Sequence, residues 1–192
     1  MNEIESLYNF IGKYISLDEA FKSRLADIVT VRNYPANTTF IQEGQYNRHF
    51  RYLHTGFIRF YSNHDGKDVT TWFEDSNQLL CSNDGFSFTK QTDESIETLE
   101  DCVILEISSG DFLNLLNDFP VLERFLRKWI EDTFAMQLEF YKFIMFMSAK
   151  EKYDRLLAYV PDIELRVKAI HIASLLGISP ETFSRLRAER LK

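Results

Sequence analysis

The pattern of apolar and polar residues predicts two kinds of structure in the first half of the chain. A capping-box pair, Ser16 and Glu19, precedes apolar residues at helical spacing, which predicts an amphipathic helix from about Leu17 to Val29. From Val31 onward, short apolar or aromatic runs alternate with turn residues at a spacing of about ten residues. The sharpest turn motif is Asp65-Gly66, a pair typical of tight hairpins. This second pattern predicts a small antiparallel barrel or sandwich.

A long helix is predicted after Pro120. One apolar stripe along it recurs in alternating steps of four and three residues, which is the heptad spacing of two helices that pack together. The simplest interpretation is a parallel homodimer, and burial of the stripe within one chain is the alternative. The predicted dimer residues are Leu122, Leu126, Trp129, Thr133, Met136, Phe140, Phe143 and Met147. A second apolar set, which we expect to contact the chain's own sheets and C-terminal helices, comprises Phe125, Ile130, Phe134, Leu138, Tyr141 and Ile144.

A second capping-box pair marks the end of this helix. Ser148 and Glu151 have the required spacing, so the long helix is predicted to end near Met147 and a new helix to follow. The stretch from Phe146 to Ala149 is therefore the predicted hinge between the two halves of the chain.

The stretch from Ile170 to Lys192 has the residue types of two short helices joined by a tight turn. Gly177 favours the left-handed backbone that ends a helix, and Ser179 is a typical N-cap for the next one. Phe183 and Leu186, three residues apart, are predicted to face the first helix.

Another face of the second helix carries Glu181, Thr182, Ser184 and Arg185. These are groups that recognise DNA through hydrogen bonds. A carboxylate accepts a hydrogen bond from the amino group of cytosine, a guanidinium donates hydrogen bonds to guanine, and a hydroxyl forms a hydrogen bond with a phosphate or a base edge. The alternative is a helical hairpin whose polar face is simply solvated.

The charge distribution is compatible with DNA binding although the net charge is −7. The segment from Arg166 to Lys192 holds six basic and two acidic residues, a net of +4, which leaves −11 for the remainder. Phosphate attraction acts within a Debye length of about 10 Å, so a basic end can bind DNA on an otherwise acidic protein.

The composition bears on three further questions: the size of the core, the role of the cysteines, and the presence of signal or membrane segments. A chain of 192 residues with 45% apolar content can bury a substantial core. Cys81 and Cys102 are too few for a disulfide framework or a cysteine-ligated metal site. The N-terminus lacks the apolar run of a signal peptide, and no stretch is long enough to cross a bilayer, so we expect a soluble cytoplasmic protein with no membrane partner.

The histidines do not form an obvious metal site. His49, His54 and His64 fall on successive predicted strands or turns, but the chain has no His-x-His pair of the kind that cupin-like enzymes use. No Ser/His/Asp or Cys/His constellation and no phosphate-binding glycine loop is visible. We therefore expect no metal, no cofactor and no enzymatic activity.

Several motifs, in this order, resemble the Crp/Fnr family of bacterial transcription factors. The motifs are FIQEGQYNRHFRYLHTGFIRFYSNHDGKDVTTWF, SFTKQ, ETLEDC, the helix from Tyr153 to Pro161, and IASLLGISPETFSRLR. The resemblance implies an α+β fold: an N-terminal antiparallel β-roll (a double-stranded β-helix, jelly-roll-like) as a cyclic-nucleotide-binding-like sensor in residues 1–118, a dimerisation helix in 119–147, and a helix-turn-helix DNA-binding domain in 148–192.

The resemblance also implies a homodimer that reads an inverted-repeat site in double-stranded DNA through the second helix of the helix-turn-helix. A β-hairpin wing commonly follows that helix in the family, whereas this sequence runs only to Lys192, so we expect phosphate contacts to come from other basic residues. The expected DNA-binding residues are Lys168, Ser179, Glu181, Thr182, Ser184, Arg185 and Arg187.

The stretch that corresponds to the family's phosphate-binding cassette departs from it. In DSNQLLCSNDGFSFTKQTDESIETLED the Gly-Glu pair is missing, and Asp93, Glu94 and Ser95 lie near the position of the family's arginine. A carboxylate repels a phosphodiester, so we expect no dependence on cyclic AMP. The residues that could line a pocket for another effector are Trp72, Phe73, Phe86, Phe88, Glu94 and Ser95. The alternatives are that the roll is an empty structural relic, whose aromatic residues belong to the hydrophobic core, or that it is a surface for a protein partner.

The expected partners are DNA and a second copy of the chain, with room for an unidentified small-molecule effector or RNA polymerase. Two other functions stay open at this point. One is a signalling module whose roll binds a ligand or partner and whose helical hairpin does not bind DNA, and the other is a cupin-like metal enzyme.

Overall fold

A computed structural model gives the fold of the chain and describes residues 2–81 and 88–190. Its helices are α1 (Glu3–Gly12), α2 (Glu19–Ile28), α3 (Ser109–Asp118), α4 (Val121–Phe146), α5 (Ala149–Tyr159), α6 (Ile163–Arg166), α7 (Ala169–Leu176) and α8 (Pro180–Arg190). Its strands are β1 (Thr30–Tyr34), β2 (Thr39–Ile41), β3 (His49–Thr55), β4 (Phe57–His64), β5 (Lys67–Asp75), β6 (Gln78–Leu80), β7 (Ser95–Thr98) and β8 (Cys102–Ser108).

Two four-stranded antiparallel sheets form the roll. Their strand orders are β1-β8-β3-β6 and β2-β7-β4-β5. One hydrophobic core contains side chains from both sheets, among them Leu53 and Ile104 from the first and Ile58, Phe60 and Ile96 from the second. These five side chains are at most 3% exposed. The antiparallel fold predicted from the spacing of turns is confirmed.

The Asp65-Gly66 motif forms the predicted hairpin. It joins β4 to β5 through a two-residue turn, with His64 paired to Lys67. Both turn residues have positive φ, 53° at Asp65 and 79° at Gly66. A two-residue turn with this backbone matches the natural twist of the strands, which is why the local sequence is sufficient to predict it.

The N-terminal helices differ in detail from the prediction. The helix expected from Leu17 begins at Glu19, because Asp18 rather than Ser16 is its N-cap and Asp18 Oδ1 accepts a hydrogen bond from the Phe21 N–H at 2.7 Å. The additional helix α1 was not predicted. These helices, α3 and the first half of α4 pack on the sheet containing β3 and β8, in a core that includes Phe10 and Phe125.

The predicted dimer stripe on α4 packs mostly within its own chain, which corrects the sequence-based assignment. Leu122, Trp129 and Phe143 are each at most 6% exposed and belong to the cores of the monomer. The partly buried members of the stripe are Leu126, Thr133, Phe140 and Met147. Met136 is 37% exposed. A stripe with a period near 3.5 residues also suits packing inside one chain, and here the roll and the C-terminal helices occupy it.

The exposed apolar residues of α4 come largely from the set that was expected to face inward. Phe134 is 59% exposed and Tyr141 is 58% exposed. We call this surface the solvent stripe; it consists of Ile130, Phe134, Leu138, Tyr141 and Met145. The other two members of the inward set, Phe125 and Ile144, are buried and partly buried as expected.

Helices α5 to α8 form a C-terminal helical unit. The predicted capping box at its start is confirmed, since Ser148 N–H donates to Glu151 Oε2 at 2.8 Å and Glu151 N–H donates to Ser148 Oγ at 3.4 Å. Gly177, with φ 67°, ends α7, and α8 begins at Pro180. In the parts of the chain that the structure describes, no helix is both long and apolar enough to span a bilayer.

Candidate functional site

The first turns of α8 present a polar face to solvent. Glu181, Ser184 and Arg185 are exposed, and Ser179 caps the helix by accepting a hydrogen bond from the Thr182 N–H at 3.2 Å. Arg185 Nη2 donates to Thr182 Oγ1 at 3.3 Å, so the guanidinium lies over the start of the helix. The structure thus brings together five of the residues predicted to contact DNA.

An apolar anchor holds this face outward. Phe183 is 1% exposed and packs edge-on against Tyr153 of α5, with ring centroids 5.2 Å apart. Leu186, one turn later, is partly buried against the same core. Because Phe183 and Leu186 face inward, helical geometry directs the intervening Ser184 and Arg185 toward solvent. The inward positions predicted from the sequence are confirmed.

Two other predicted DNA-binding residues lie apart from this face. Arg187 forms an ion pair with Glu164 at 3.0 Å. Two residues along a helix rotate a side chain by about 200°, so Arg187 lies on the side opposite Arg185. Lys168 is exposed at the N-cap of α7. Within the described structure, Arg187 therefore forms an ion pair and Lys168 does not.

The C-terminal helical unit is attached to the roll through Arg166. Its Nε donates to Glu100 Oε1 at 2.6 Å and its Nη1 donates to Asp75 Oδ2 at 2.8 Å. The guanidinium also lies 4.1 Å from the ring centroid of Phe57. The hydrogen bonds that Arg166 donates to both carboxylates raise the pKa of its guanidinium, so it is a permanent cation. Arg166 belongs to the basic C-terminal segment by sequence, but its charge is neutralised within the chain.

Helix α7 continues this contact along β5. The Thr70 N–H donates to Ser174 Oγ at 2.9 Å, which satisfies a backbone donor on an edge strand of the sheet. Phe57 and Phe73, from β4 and β5, join the hydrophobic core of the C-terminal helical unit. The roll and this unit therefore share a packed interface.

A cavity of 410 Å³ lies between the roll and α4, and we call it the roll–helix cavity. Its volume is within the range of small-molecule sites, about 300–1,000 Å³. The residues from the roll that line it are Phe60, Thr71, Trp72, Glu74, Gln78, Leu79, Cys81 and Glu94. The residues from the helices are Trp129, Thr133, Met136, Gln137, Phe140 and Tyr159.

Glu74 and Glu94 are the carboxyl groups among the described lining residues, which include no lysine, arginine or histidine. Glu94 is 3% exposed and accepts a hydrogen bond from Thr71 Oγ1 at 2.5 Å. Burial raises the pKa of Glu74 to about 8, although Trp72 Nε1 donates a hydrogen bond to Glu74 Oε2 at 3.2 Å. The cavity is therefore acidic, and one of its carboxyls is largely protonated at neutral pH.

A β-bulge gives Thr71 access to the cavity. Phe60 of β4 pairs with Trp72 and the next residue, Tyr61, pairs with Thr70, which leaves Thr71 as the extra residue on β5. A bulge interrupts the strict alternation of side chains, so both Thr71 and Trp72 can line one cavity.

The other residues predicted for the roll pocket lie elsewhere, which corrects that part of the prediction. Phe73 lines a smaller neighbouring cavity of 240 Å³, whose charged lining residues are Glu139 and Arg155. Phe88 packs against Phe112, with ring centroids 6.0 Å apart. Ser95 Oγ accepts a hydrogen bond from the Glu43 N–H at 2.9 Å. Phe86 lies outside the described residues. Trp72 and Glu94 are the predicted residues that the cavity brings together.

Sequence reasoning missed most of the cavity because its walls come from distant parts of the chain. Glu74 lies on β5, Trp129 on α4 and Tyr159 on α5. A local pattern cannot place these side chains together, and only the alternation along β5 hinted that Glu74 shares a face with Trp72. Within the described residues, no group of three or more His, Cys, Asp or Glu side chains is arranged to hold a metal ion.

Comparison with known proteins agrees with this architecture. Residues 31–119 match the family model of the cyclic nucleotide-binding domain. A transcriptional regulator described as Crp/Fnr family, from Eubacterium rectale, has a TM-score of 0.75 and 18% identity, covering 95% of this chain and 88% of that one. The c-di-GMP-responsive global regulator CLP of Xanthomonas campestris has a TM-score of 0.70 and 16% identity, covering 91% and 92%. No curated protein matches the chain significantly.

A mutant of CooA from Carboxydothermus hydrogenoformans extends the same comparison, with a TM-score of 0.66, 17% identity, and coverage of 98% of this chain and 84% of that one. Because the sequence identities to these three structures are 16–18%, the structural similarity establishes a shared fold and no more. The roll thus has the fold of a cyclic nucleotide-binding domain, and the chain shares its architecture with regulators of the Crp/Fnr type.

Proposed function

We propose that the protein is a homodimeric, sequence-specific DNA-binding transcriptional regulator of the Crp/Fnr type, acting in the cytoplasm and without enzymatic activity. In this proposal residues 1–118 form the sensor, residues 119–147 the dimerisation helix, and residues 148–192 a helix-turn-helix domain. The observation that carries it is the exposed face of α8, where Glu181, Ser184 and Arg185 surround a helix start that is fixed by a buried Phe183.

The recognition helix in this account is α8. A helix that enters the major groove with its first turns presents side chains there to base edges. Arg185 suits a bidentate contact to guanine, and Glu181 suits a contact to the amino group of cytosine. Ser179, Thr182 and Ser184 would position the helix through phosphates or base edges. Lys168, exposed at the start of α7, would add a phosphate contact, whereas Arg187 would first have to leave Glu164.

The solvent stripe of α4 is the proposed dimer interface. Its residues recur in steps of four, four, three and four, so they lie along one face of the helix. A contiguous row of exposed aromatic and aliphatic side chains on a soluble protein indicates a protein contact. A second copy of the chain supplies a matching stripe, and a two-fold pairing of α4 helices presents two α8 helices to an inverted repeat.

Selection of binding sites from a randomised pool tests the proposal. The pool carries inverted repeats with half-site centres one helical turn apart, about 34–36 Å. The proteins are the wild type, Arg185→Ala, and the control Arg127→Ala, which removes an exposed arginine from α4 that pairs only locally with Glu131. We expect the wild type and the control to enrich the same two-fold symmetric sequence, and Arg185→Ala to lose the preference at one base pair per half-site.

Failure to enrich any DNA sequence would overturn the proposal. If the wild type enriches no sequence at low salt, whether alone or supplemented with cell extract as a source of effectors, then α8 is a scaffold and the chain is not a sequence-specific DNA-binding protein.

A further inference from the structure

The roll–helix cavity has the wrong charge for an anionic ligand. Two carboxyl groups line it, those of Glu74 and Glu94, and no cationic side chain of the described structure does. Placing a phosphodiester beside two carboxyls would require desolvating the phosphate without a counter-charge, which is strongly unfavourable. The ligand that this cavity accepts is therefore neutral or positively charged.

The walls of the cavity are unusually rich in aromatic rings. Trp72, Trp129, Phe140 and Tyr159 line it, and the rings of Trp72 and Phe140 pack edge to face with centroids 4.8 Å apart. The ring centroids of Trp72 and Tyr159 are 6.5 Å apart, so aromatic rings from β5, α4 and α5 lie close together in the cavity wall. Indole and phenyl faces attract organic cations through the negative charge of their π systems, and tryptophan does so most strongly.

The carboxyls and the rings together select one class of ligand. We infer that the roll–helix cavity binds an organic ammonium cation, with the charged nitrogen between Glu94 and the indole rings and its carbon substituents against Phe140 and Met136. This inference deepens the sensing role proposed for the roll and rests on that proposal.

Other polar groups of the lining suit an ammonium compound that carries a hydroxyl or carbonyl group. Gln78 from β6 and Gln137 from α4 both line the cavity and carry amide groups. An amide can donate to and accept from a ligand without adding charge. Glu94 already accepts from Thr71 Oγ1, which fixes one of its oxygens and the orientation of the carboxylate.

Choline chloride is the first probe, because its quaternary nitrogen keeps its charge at every pH. Its carbon isostere 3,3-dimethyl-1-butanol has the same shape without the charge, and cyclic AMP is the anionic comparison. Both tryptophans of the chain, Trp72 and Trp129, line the cavity, so intrinsic fluorescence reports its occupancy directly. Calorimetry of the same full-length protein confirms each binding event.

We expect choline, or benzyltrimethylammonium as a larger member of the class, to change the tryptophan fluorescence saturably. The neutral isostere should bind at least about tenfold more weakly, since it lacks the cation–π and carboxylate contacts. The inference is overturned if the isostere binds as tightly as choline, if cyclic AMP binds more tightly than either, or if no ammonium probe binds up to about 10 mM.

Two substitutions locate the binding event. Glu94→Gln removes the charge and keeps an oxygen for Thr71, and Glu74→Gln resembles the protonated side chain, so one of the two preserves the fold even if the other does not. Glu94→Gln should weaken choline binding about tenfold at pH 7, and Glu74→Gln should weaken it about tenfold at pH 9, where the wild-type Glu74 is ionised. Glu123→Gln, an exposed change on α4 outside the cavity, should leave binding unchanged at both pH values. Equal affinity in all three variants would refute the site.

The titration contains no DNA, so its result is separate from that of the site selection. A protein that enriches a DNA sequence but binds no ammonium probe keeps the proposed regulatory function and loses this ligand class. A protein that binds choline in the cavity but enriches no DNA keeps the ligand site and loses the proposed function.

Discussion

At the scale of single residues, the roll–helix cavity is defined by a carboxyl whose protonation changes near neutral pH. Burial raises the pKa of Glu74 to about 8 against an ordinary value of 4.5. The titratable groups around it are Asp75 on the same strand, Tyr159 from α5, and Glu94 and Cys81 across the lining, while α4 contributes none among the described lining residues. Glu74 in the folded protein therefore holds its proton at pH values where the unfolded chain has released it.

This shift predicts how stability depends on pH. Between pH 4.5 and 8 the folded state binds more protons than the unfolded state, so the contribution of Glu74 becomes steadily less favourable as the pH rises and levels off above 8. Glu74→Gln should remove that dependence and be more stable than the wild type at pH 8 by about 2 kcal/mol, a value reduced because the side chain keeps some contact with water.

Chemical denaturation of the wild type, Glu74→Gln and Glu123→Gln at pH 5, 6.5 and 8 measures this difference. The exposed Glu123 serves as the control and should follow the wild type. Parallel curves for the wild type and Glu74→Gln would show that Glu74 titrates in the folded protein as it does in water.

At the scale of elements, α4 has two apolar faces that differ in their exposure to solvent. One face, which contains Trp129 and Phe143, is buried in the cores of the monomer. The other is the solvent stripe, exposed along much of the helix. The second face is available to a partner copy, and its loss should affect assembly rather than folding.

Phe134→Asp tests this division of roles. A charge placed in the middle of the solvent stripe would have to be buried at the dimer interface, so we expect the protein to become monomeric at concentrations where the wild type is dimeric. The matched control is Leu113→Asp, which places the same charge on α3 at a leucine that is 51% exposed and outside the stripe. Analytical ultracentrifugation gives the oligomeric state, and a wild-type monomer or a dimeric Phe134→Asp variant would contradict the assignment.

Local sequence predicted the elements that depend on local geometry. The Asp65-Gly66 hairpin, the Ser148 capping box and the left-handed Gly177 each follow from the conformations that these residues adopt within a few positions of themselves. The faces of α4 could not be assigned in the same way, because both stripes are apolar and only the packing of distant elements decides which is buried. The roll–helix cavity was missed for the same reason.

At the scale of the whole molecule, Arg166 connects the roll to the C-terminal helical unit. It contacts Glu100 and Asp75 of the roll and stacks on Phe57. Burial alone would raise the pKa of Asp75, but hydrogen bonds from Arg166 and from the Ser76 N–H lower it below its ordinary value. The interface is thereby stabilised by charge, and its strength should fall when Arg166 is removed.

Arg166→Ala should lower the free energy of unfolding by about 1–3 kcal/mol, because it leaves two carboxylates without their shared partner. Arg127→Ala, which removes an exposed ion pair within one helix, should cost at most about 0.5 kcal/mol. Hydrogen exchange on the two variants should also show faster exchange of the Thr70 amide in Arg166→Ala alone, since that amide bonds Ser174 across the interface. Equal effects of the two substitutions would mean that Arg166 does not hold the units together.

At the same scale, α4 and α5 lie between the proposed ligand site in the roll–helix cavity and the proposed recognition helices of the proposed dimer. Tyr159 belongs to the cavity and to α5, and Tyr153 of the same helix packs against Phe183 of α8. A ligand that repositions α5 would therefore act on α8 directly. We expect it to change the separation of the two α8 helices, and so the half-site spacing that the dimer prefers.

The most direct test of the central claim, that α8 reads DNA sequence, compares the affinity of the protein for two sites. One is the selected inverted repeat, and the other is changed in each half-site at the guanine–cytosine pair that the site selection assigns to Arg185. Fluorescence anisotropy at two salt concentrations gives both values. We predict that the wild type prefers the selected site by about 1–3 kcal/mol per half-site, that binding weakens steeply with salt, and that Arg185→Ala binds both sites equally. A wild type that does not discriminate, or an Arg185→Ala variant that discriminates as the wild type does, would contradict the account.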